Sequence, residues 1–209
     1  MFSCFNKILS YLRESVFPVF CLGCGKEGER VCGECYETID TKGMLGHFHL
    51  AVTPYHEDWL IGKIVRGFKY DYEEELSGVI EKLVRGFVEK HTDYFAQADA
   101  ITFVPLHKKR HAERGFNQSE FIAQVVSRAI GKPVSDMLIR HRNTEHQARL
   151  NREKRLVNVK DAFASISAIG GRVLLVDDVY TTGSTMRECA NALLKAGAVK
   201  VFGFSLARG

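Results

Sequence analysis

The apolar pattern is densest at Val173 to Val176, four consecutive residues that predict a strand buried on both faces. Two carboxylates, Asp177 and Asp178, end it, and a run of hydroxyls around Gly183 follows. Met186, Cys189, Ala190, Leu193 and Leu194 then repeat at helical spacing, and Gly197 stands where a C-cap belongs. Two further helical stripes lie upstream: Leu60, Ile61, Ile64, Val65 and Phe68, then Leu76, Val79, Ile80, Leu83, Val84 and Phe87. A third holds Phe121, Ile122, Val125, Val126 and Ala129. Strands are predicted at 49–55, 100–106, 137–140, 161–164 and 199–205. Gly43 to Gly46 reads as a linker or turn. Strands alternating with helices predict an α/β fold with an open, mainly parallel sheet.

The stretch from Asp177 to Thr185 carries the clearest chemistry. A helix start presents free N–H groups and the positive end of the helix dipole to an anion. Thr181, Thr182, Ser184 and Thr185 add hydroxyl donors, and Gly183 lets the backbone come close. Ionised carboxylates only accept hydrogen bonds, so Asp177 and Asp178 suit the vicinal hydroxyls of a ribose. Together they ask for a ribose 5-phosphate group at the carboxyl end of a strand. A plain turn with a Thr185–Glu188 capping box would leave the adjacent acids unexplained. A second anion site is expected in the basic loop from Pro105 to Arg110, with Lys108, Lys109, Arg110 and Arg114 as candidates.

Cysteine spacing adds a metal site. Cys21-x-x-Cys24 and Cys32-x-x-Cys35 make two knuckles that suit tetrahedral zinc. Four thiolates leave no open position, so the metal would be structural. Disulfides and redox chemistry are the competing readings, and a cytosolic compartment argues against the first. Cys189 reads as a small buried hydrophobe. His47, His49 and His56 lack a second ligand cluster and read as surface or hydrogen-bonded histidines.

Composition changes little in this picture. The 209 residues carry a net charge of +4, which tolerates anionic ligands without arguing for nucleic acid. No apolar run approaches the ~20 residues of a membrane span. Residues 1–20 lack the apolar core of a signal peptide and predict a short amphipathic helix. That helix packs on its own domain or, alternatively, touches a membrane or a partner. A cytoplasmic protein is expected, with a peripheral membrane contact as the alternative. Between Arg140 and Arg155, six Arg or Lys stand against two acids. This predicts a mobile loop or a solvated helix whose basic surface also suits single-stranded nucleic acid.

Residues 173–185, Val-Leu-Leu-Val-Asp-Asp-Val-Tyr-Thr-Thr-Gly-Ser-Thr, resemble the phosphoribosyl pyrophosphate (PRPP) loop of type I phosphoribosyltransferases. The Arg114-Gly-Phe-Asn117-Gln118 block, Lys69-Tyr70, the basic segment and the cysteine knuckle stand in the order of the ComF/GntX family, ComFC-like branch. The resemblance implies a knuckle over residues 1–46 and a phosphoribosyltransferase-like domain over 47–209. It implies PRPP with Mg²⁺, or another phosphoribosyl ligand. Asp177 and Asp178 would be catalytic and would hold the ribose, Thr181, Thr182, Gly183, Ser184 and Thr185 would hold the 5-phosphate, and Val179 and Tyr180 would belong to the same ribose-phosphate site. His107, Lys108, Lys109, Arg110 and Arg114 would hold pyrophosphate. Arg142, Gln147, Arg149, Arg152 and Arg155 would form a lid that also takes single-stranded DNA. Lys69 either faces this site or neutralises a helix end. The implied role is natural transformation, with a ComFA-like helicase and other transformation proteins as partners. The enzymatic reading is a phosphoribosyltransferase; the alternative is a non-enzymatic ligand sensor that binds single-stranded DNA or the helicase.

Overall fold

The computed structural model describes residues 18–70, 74–142, 161–167 and 170–209. Its centre is a five-stranded sheet in the order β1-β2-β7-β6-β3. These strands are β1 (Met44–Leu45), β2 (His49–Pro54), β3 (Ala100–Phe103), β6 (Arg172–Tyr180) and β7 (Lys200–Arg208). β2, β7, β6 and β3 run parallel, and β1 is antiparallel to β2 at one edge.

Burial on both faces gives β6 its continuous apolar run. Leu174 and Val176 join one core cluster with Leu50, Val52 and Phe204, while Val173 and Leu175 join a second. The first cluster takes the apolar stripes of α2 (Leu60–Tyr70), α3 (Glu74–Lys90) and α6 (Gln118–Ile130). The second takes α7 (Ser184–Lys195) through Met186, Cys189 and Leu193. The result is three layers, helix on sheet on helix. Tyr94, Phe95, Phe202 and Phe204 meet edge to face between α4 (Thr92–Phe95) and β7, and Phe87 of α3 stacks on Phe204.

Three expectations change. Residues 43–46 contain the short edge strand β1 as well as a turn. β4 (Leu138–Arg140) and β5 (Phe163–Ser165) leave the main sheet and pair antiparallel with each other. The edge of β3 is already occupied: Ile101 exchanges backbone hydrogen bonds with Pro133 and Ser135. The basic loop expected from Pro105 to Arg110 gives way at Lys108 to helix α5 (Lys108–Arg114). The His107 ring accepts the Lys109 N–H, and Gly115 closes the helix in the left-handed region at φ 77°. Among the described residues, no helix is long and apolar enough to cross a membrane.

The cysteine knuckle, which contains α1 (Gly33–Glu37), precedes the sheet and packs against α2 and α3. Val31 enters the first core cluster, with Leu22 and Tyr36 against it. The Lys82 ammonium lies 3.9 Å from the Tyr36 ring centre, and Lys63 donates to the Leu22 carbonyl.

Candidate phosphoribosyl site and metal centre

β6 carries Asp177 and Asp178 and continues through Val179 and Tyr180, alongside Ser205 to Arg208 of β7. The strand outlasts the expected end at the acidic pair because β7 offers hydrogen bonds that far. Thr181 to Gly183 turn the chain, and α7 starts at Ser184. Gly183 is its N-cap at φ 71° and makes no side-chain cap bond. A Cβ there would lie 2.1 Å from the Tyr180 hydroxyl, so the turn closes on the Tyr180 ring only because the residue is glycine. The Thr182 and Ser184 hydroxyls pair at 2.9 Å.

Asp177 to Thr185 line one cleft of about 260 Å³ with Lys69, Tyr70, Arg110, Arg114, Ser119 and Arg140. The acidic pair is therefore brought together with two of the five residues expected to hold pyrophosphate, Arg110 and Arg114. Lys108 and Lys109 are exposed outside the cleft lining, and His107 serves as the cap of α5. Arg142 is exposed just past β4. Gln147, Arg149, Arg152 and Arg155 lie outside the described residues.

Lys69, the last-turn cation of α2, reaches into the cleft and ion-pairs with Asp178. Ser119, in the first turn of α6, donates to Asp177 at 3.0 Å. Asn117 places that turn: its side chain accepts the Ser119 N–H and donates to the Val104 carbonyl, both at 3.0 Å. Arg114 donates to Gln118 at 3.2 Å and to the Tyr70 hydroxyl at 3.4 Å. Sequence reasoning left Lys69 open and missed Ser119 and Arg140. For Ser119 the available signal was the Asn117 cap, which sets a small hydroxyl at a helix start.

Electrostatics separates the two acids. Burial and the neighbouring Asp178 carboxylate push the Asp177 carboxyl up to about 7, against the Asp178 N–H, the Ser119 hydroxyl and Lys69. Burial also raises Asp178, but the Lys69 ammonium outweighs it and holds that carboxyl below its usual value. Burial and the nearby Arg110 lower the Arg140 guanidinium to about 10. Beneath the loop, His49 stacks on Tyr180 at 4.1 Å and hydrogen-bonds Ser205 at 3.0 Å. Burial and then Arg208 push its imidazole down to about 3, so it is neutral.

The second cluster is the knuckle. The Sγ atoms of Cys21, Cys24, Cys32 and Cys35 all lie within 4.8 Å of one another. Cys21–Cys32 and Cys24–Cys32 are each 3.7 Å apart. A tetrahedron of Zn–S bonds of about 2.3 Å has edges of about 3.8 Å, so the cluster fits zinc. The Gly23 and Cys32 N–H groups donate to Cys21 Sγ at 3.4 Å. Burial opposes ionisation of Cys21, but the N–H groups of Cys24, Cys32 and Gly23 bring its thiol down to about 6, ready as a thiolate ligand. None of the described cysteines is in a disulfide.

Comparison with known proteins agrees with this geometry. The phosphoribosyl transferase domain profile matches residues 116–205. Competence protein F of Haemophilus influenzae is 30% identical over 205 residues, 92% of this chain and 85% of that one. The chain belongs to the ComF family. The chain is also similar to DNA utilization protein YhgH of Escherichia coli K12, 34% identical over 152 residues, 71% of this chain and 67% of the relative. Competence protein ComFC of Bacillus subtilis is 32% identical over 149 residues, 70% of this chain and 54% of the relative.

Two outcomes are expected. Cys24→Ser lowers the zinc content of the purified protein from one ion per chain towards zero and lowers its melting midpoint. Metal analysis showing an unchanged zinc content would remove the site. The second concerns Asp177. An acid with a raised folded pKa binds more protons folded than unfolded between 3.8 and about 7. Native stability therefore falls as pH rises through that window and stays low above it. Asp177→Asn removes the loss. At pH 8 the variant melts above the wild type by at least about 1 kcal/mol, or roughly 2–4 °C, and the margin shrinks towards pH 4. An equal or lower midpoint at pH 8 would mean that ionised Asp177 is not penalised in the fold.

Proposed function

We propose that the cleft binds PRPP, with Mg²⁺ on its pyrophosphate, and that the protein handles single-stranded DNA in natural transformation. The observation that carries the ligand is the acidic pair at the end of β6, in one cleft with the hydroxyl-rich start of α7. Asp177 and Asp178 accept from the ribose hydroxyls, and the turn from Thr181 to Thr185 cradles the 5-phosphate. Arg110 and Arg114 line the same cleft and suit the pyrophosphate oxygens. Lys69 keeps Asp178 ionised and ready to accept.

As a phosphoribosyltransferase, the protein would break the bond from ribose C1 to the pyrophosphate oxygen and form one from C1 to an acceptor. Mg²⁺ bound with PRPP would supply charge neutralisation to the departing pyrophosphate. The chain's own contribution is orientation of the ribose and fixed positive charge where negative charge develops. In the knuckle, Cys21, Cys24, Cys32 and Cys35 would hold zinc in a closed, structural site. The DNA role is supported by the names of the relatives, competence protein and DNA utilization protein. It implies cytoplasmic work beside a ComFA-like helicase.

Calorimetric titration of PRPP and Mg²⁺ into the full chain tests the ligand. Binding is expected to the wild type, to be lost in Asp177→Ala/Asp178→Ala, and to weaken about tenfold in Arg114→Ala, the loss of one charge-assisted contact. No heat from a folded, zinc-loaded wild type would overturn the PRPP reading. Binding without turnover across an acceptor screen would make the cleft a ligand sensor.

A further inference from the structure

We propose that the solvent face of α2 is a track for single-stranded DNA leading from the cysteine knuckle to the mouth of the cleft. The proposal rests on the DNA role proposed above and gives it a site.

Within α2 and the residue before it, the exposed positions are Trp59, Lys63, Arg66 and Tyr70. They fall at i, i+4, i+7 and i+11, one above another on a single face. Every other residue of the helix is buried or half-buried. A solvated helix face ordinarily mixes charges of both signs. This face holds two aromatic rings and two cations, with no acid. Trp59 and Tyr70 are 55% and 60% exposed, high values for rings of that size and the reason the face calls for an occupant.

The four side chains are held in place. The Trp59 ring stacks against His56 at 5.6 Å. Lys63 donates to the Leu22 carbonyl of the knuckle at 2.9 Å, and Arg66 to the Glu57 carbonyl at 3.0 Å. Among the described residues, neither cation is paired with a carboxylate. Tyr70 lines the cleft and lies under the Arg114 guanidinium, 5.1 Å from its ring centre. Of the described acids just before the helix, Asp58 is 3.7 Å from His56, and Glu57 lines the cleft.

Aromatic rings alternating with cations match a chain of bases alternating with phosphates. Stacking needs unpaired bases, so the strand must be single. Trp59 and Tyr70 lie about 17 Å apart along the helix, room for several nucleotides with phosphates at Lys63 and Arg66. A strand lying on this face would reach the cleft at Tyr70.

Trp59 is the sole tryptophan of the chain, so its emission reports on this face alone. The full chain is titrated with a labelled oligo-dT, following both anisotropy and tryptophan emission. Binding is expected with quenched emission. Lys63→Ala/Arg66→Ala should weaken it about tenfold or more and reduce the salt slope by about 1.4, two phosphate contacts on a single strand. Trp59→Ala should weaken it about tenfold, and Trp59→Phe should restore most of the affinity. Circular dichroism and zinc content confirm that each variant is folded. Binding with unchanged emission, and with wild-type affinity in the double variant, would overturn the track and leave the DNA role to another surface. Duplex bound as tightly as the single strand, without quenching, would also overturn it. No binding at low salt would remove both the track and the DNA role.

Discussion

Two adjacent carboxylates buried at the end of a strand are costly to keep charged, and the cleft is arranged around that cost. β6 places Asp177 and Asp178 where helices cover both faces of the sheet. α2 answers with Lys69 on Asp178, and α6 with the Ser119 hydroxyl on Asp177. Both helices pack on the same face of the sheet, through Ile64, Val65 and Phe68 from one and Ile122 and Val126 from the other. The partners of the acidic pair therefore depend on the first core cluster being intact. Lys69 pairs with Asp178, while burial and the neighbouring carboxylate dominate at Asp177, so Asp177 is pushed up and Asp178 held down.

The other half of the site rests on the opposite side of β6. Tyr180 lies between the His49 ring and the turn at Gly183. His49 comes from β2 and reaches Tyr180 of β6 over Gly203 of β7, where a side chain would crowd the imidazole. Its imidazole stays neutral and packs as a flat surface under Tyr180. The turn is thus supported from below by side chains, and its backbone remains available above to an anion. The knuckle adds no group to the cleft lining. It braces α2 and α3 through Val31, Tyr36 and the Lys63–Leu22 hydrogen bond, and so steadies the helix that delivers Lys69.

The sequence by itself determined what is local. Residues 173–185 were legible because strand, acidic pair, hydroxyl turn and helix are contiguous and each shows its own period. The knuckle was legible because thiolate spacing is a chemical requirement read directly along the chain. α2, α3 and α6 announced themselves through apolar stripes that their packing faces need. Only the tertiary structure decided the rest. Lys69 and Asp178 stand far apart in the chain, and nothing in helical periodicity says which helix end meets which strand end. Ser119, Arg140 and His49 join the site through sheet order and side-chain direction, which no local pattern encodes. α5 has no apolar stripe to announce it along the chain; its helicity comes from the caps at His107 and Gly115. β4 and β5 left the main sheet because residues 133–135 already satisfy the edge of β3, a competition for hydrogen bonds settled only when the strands meet.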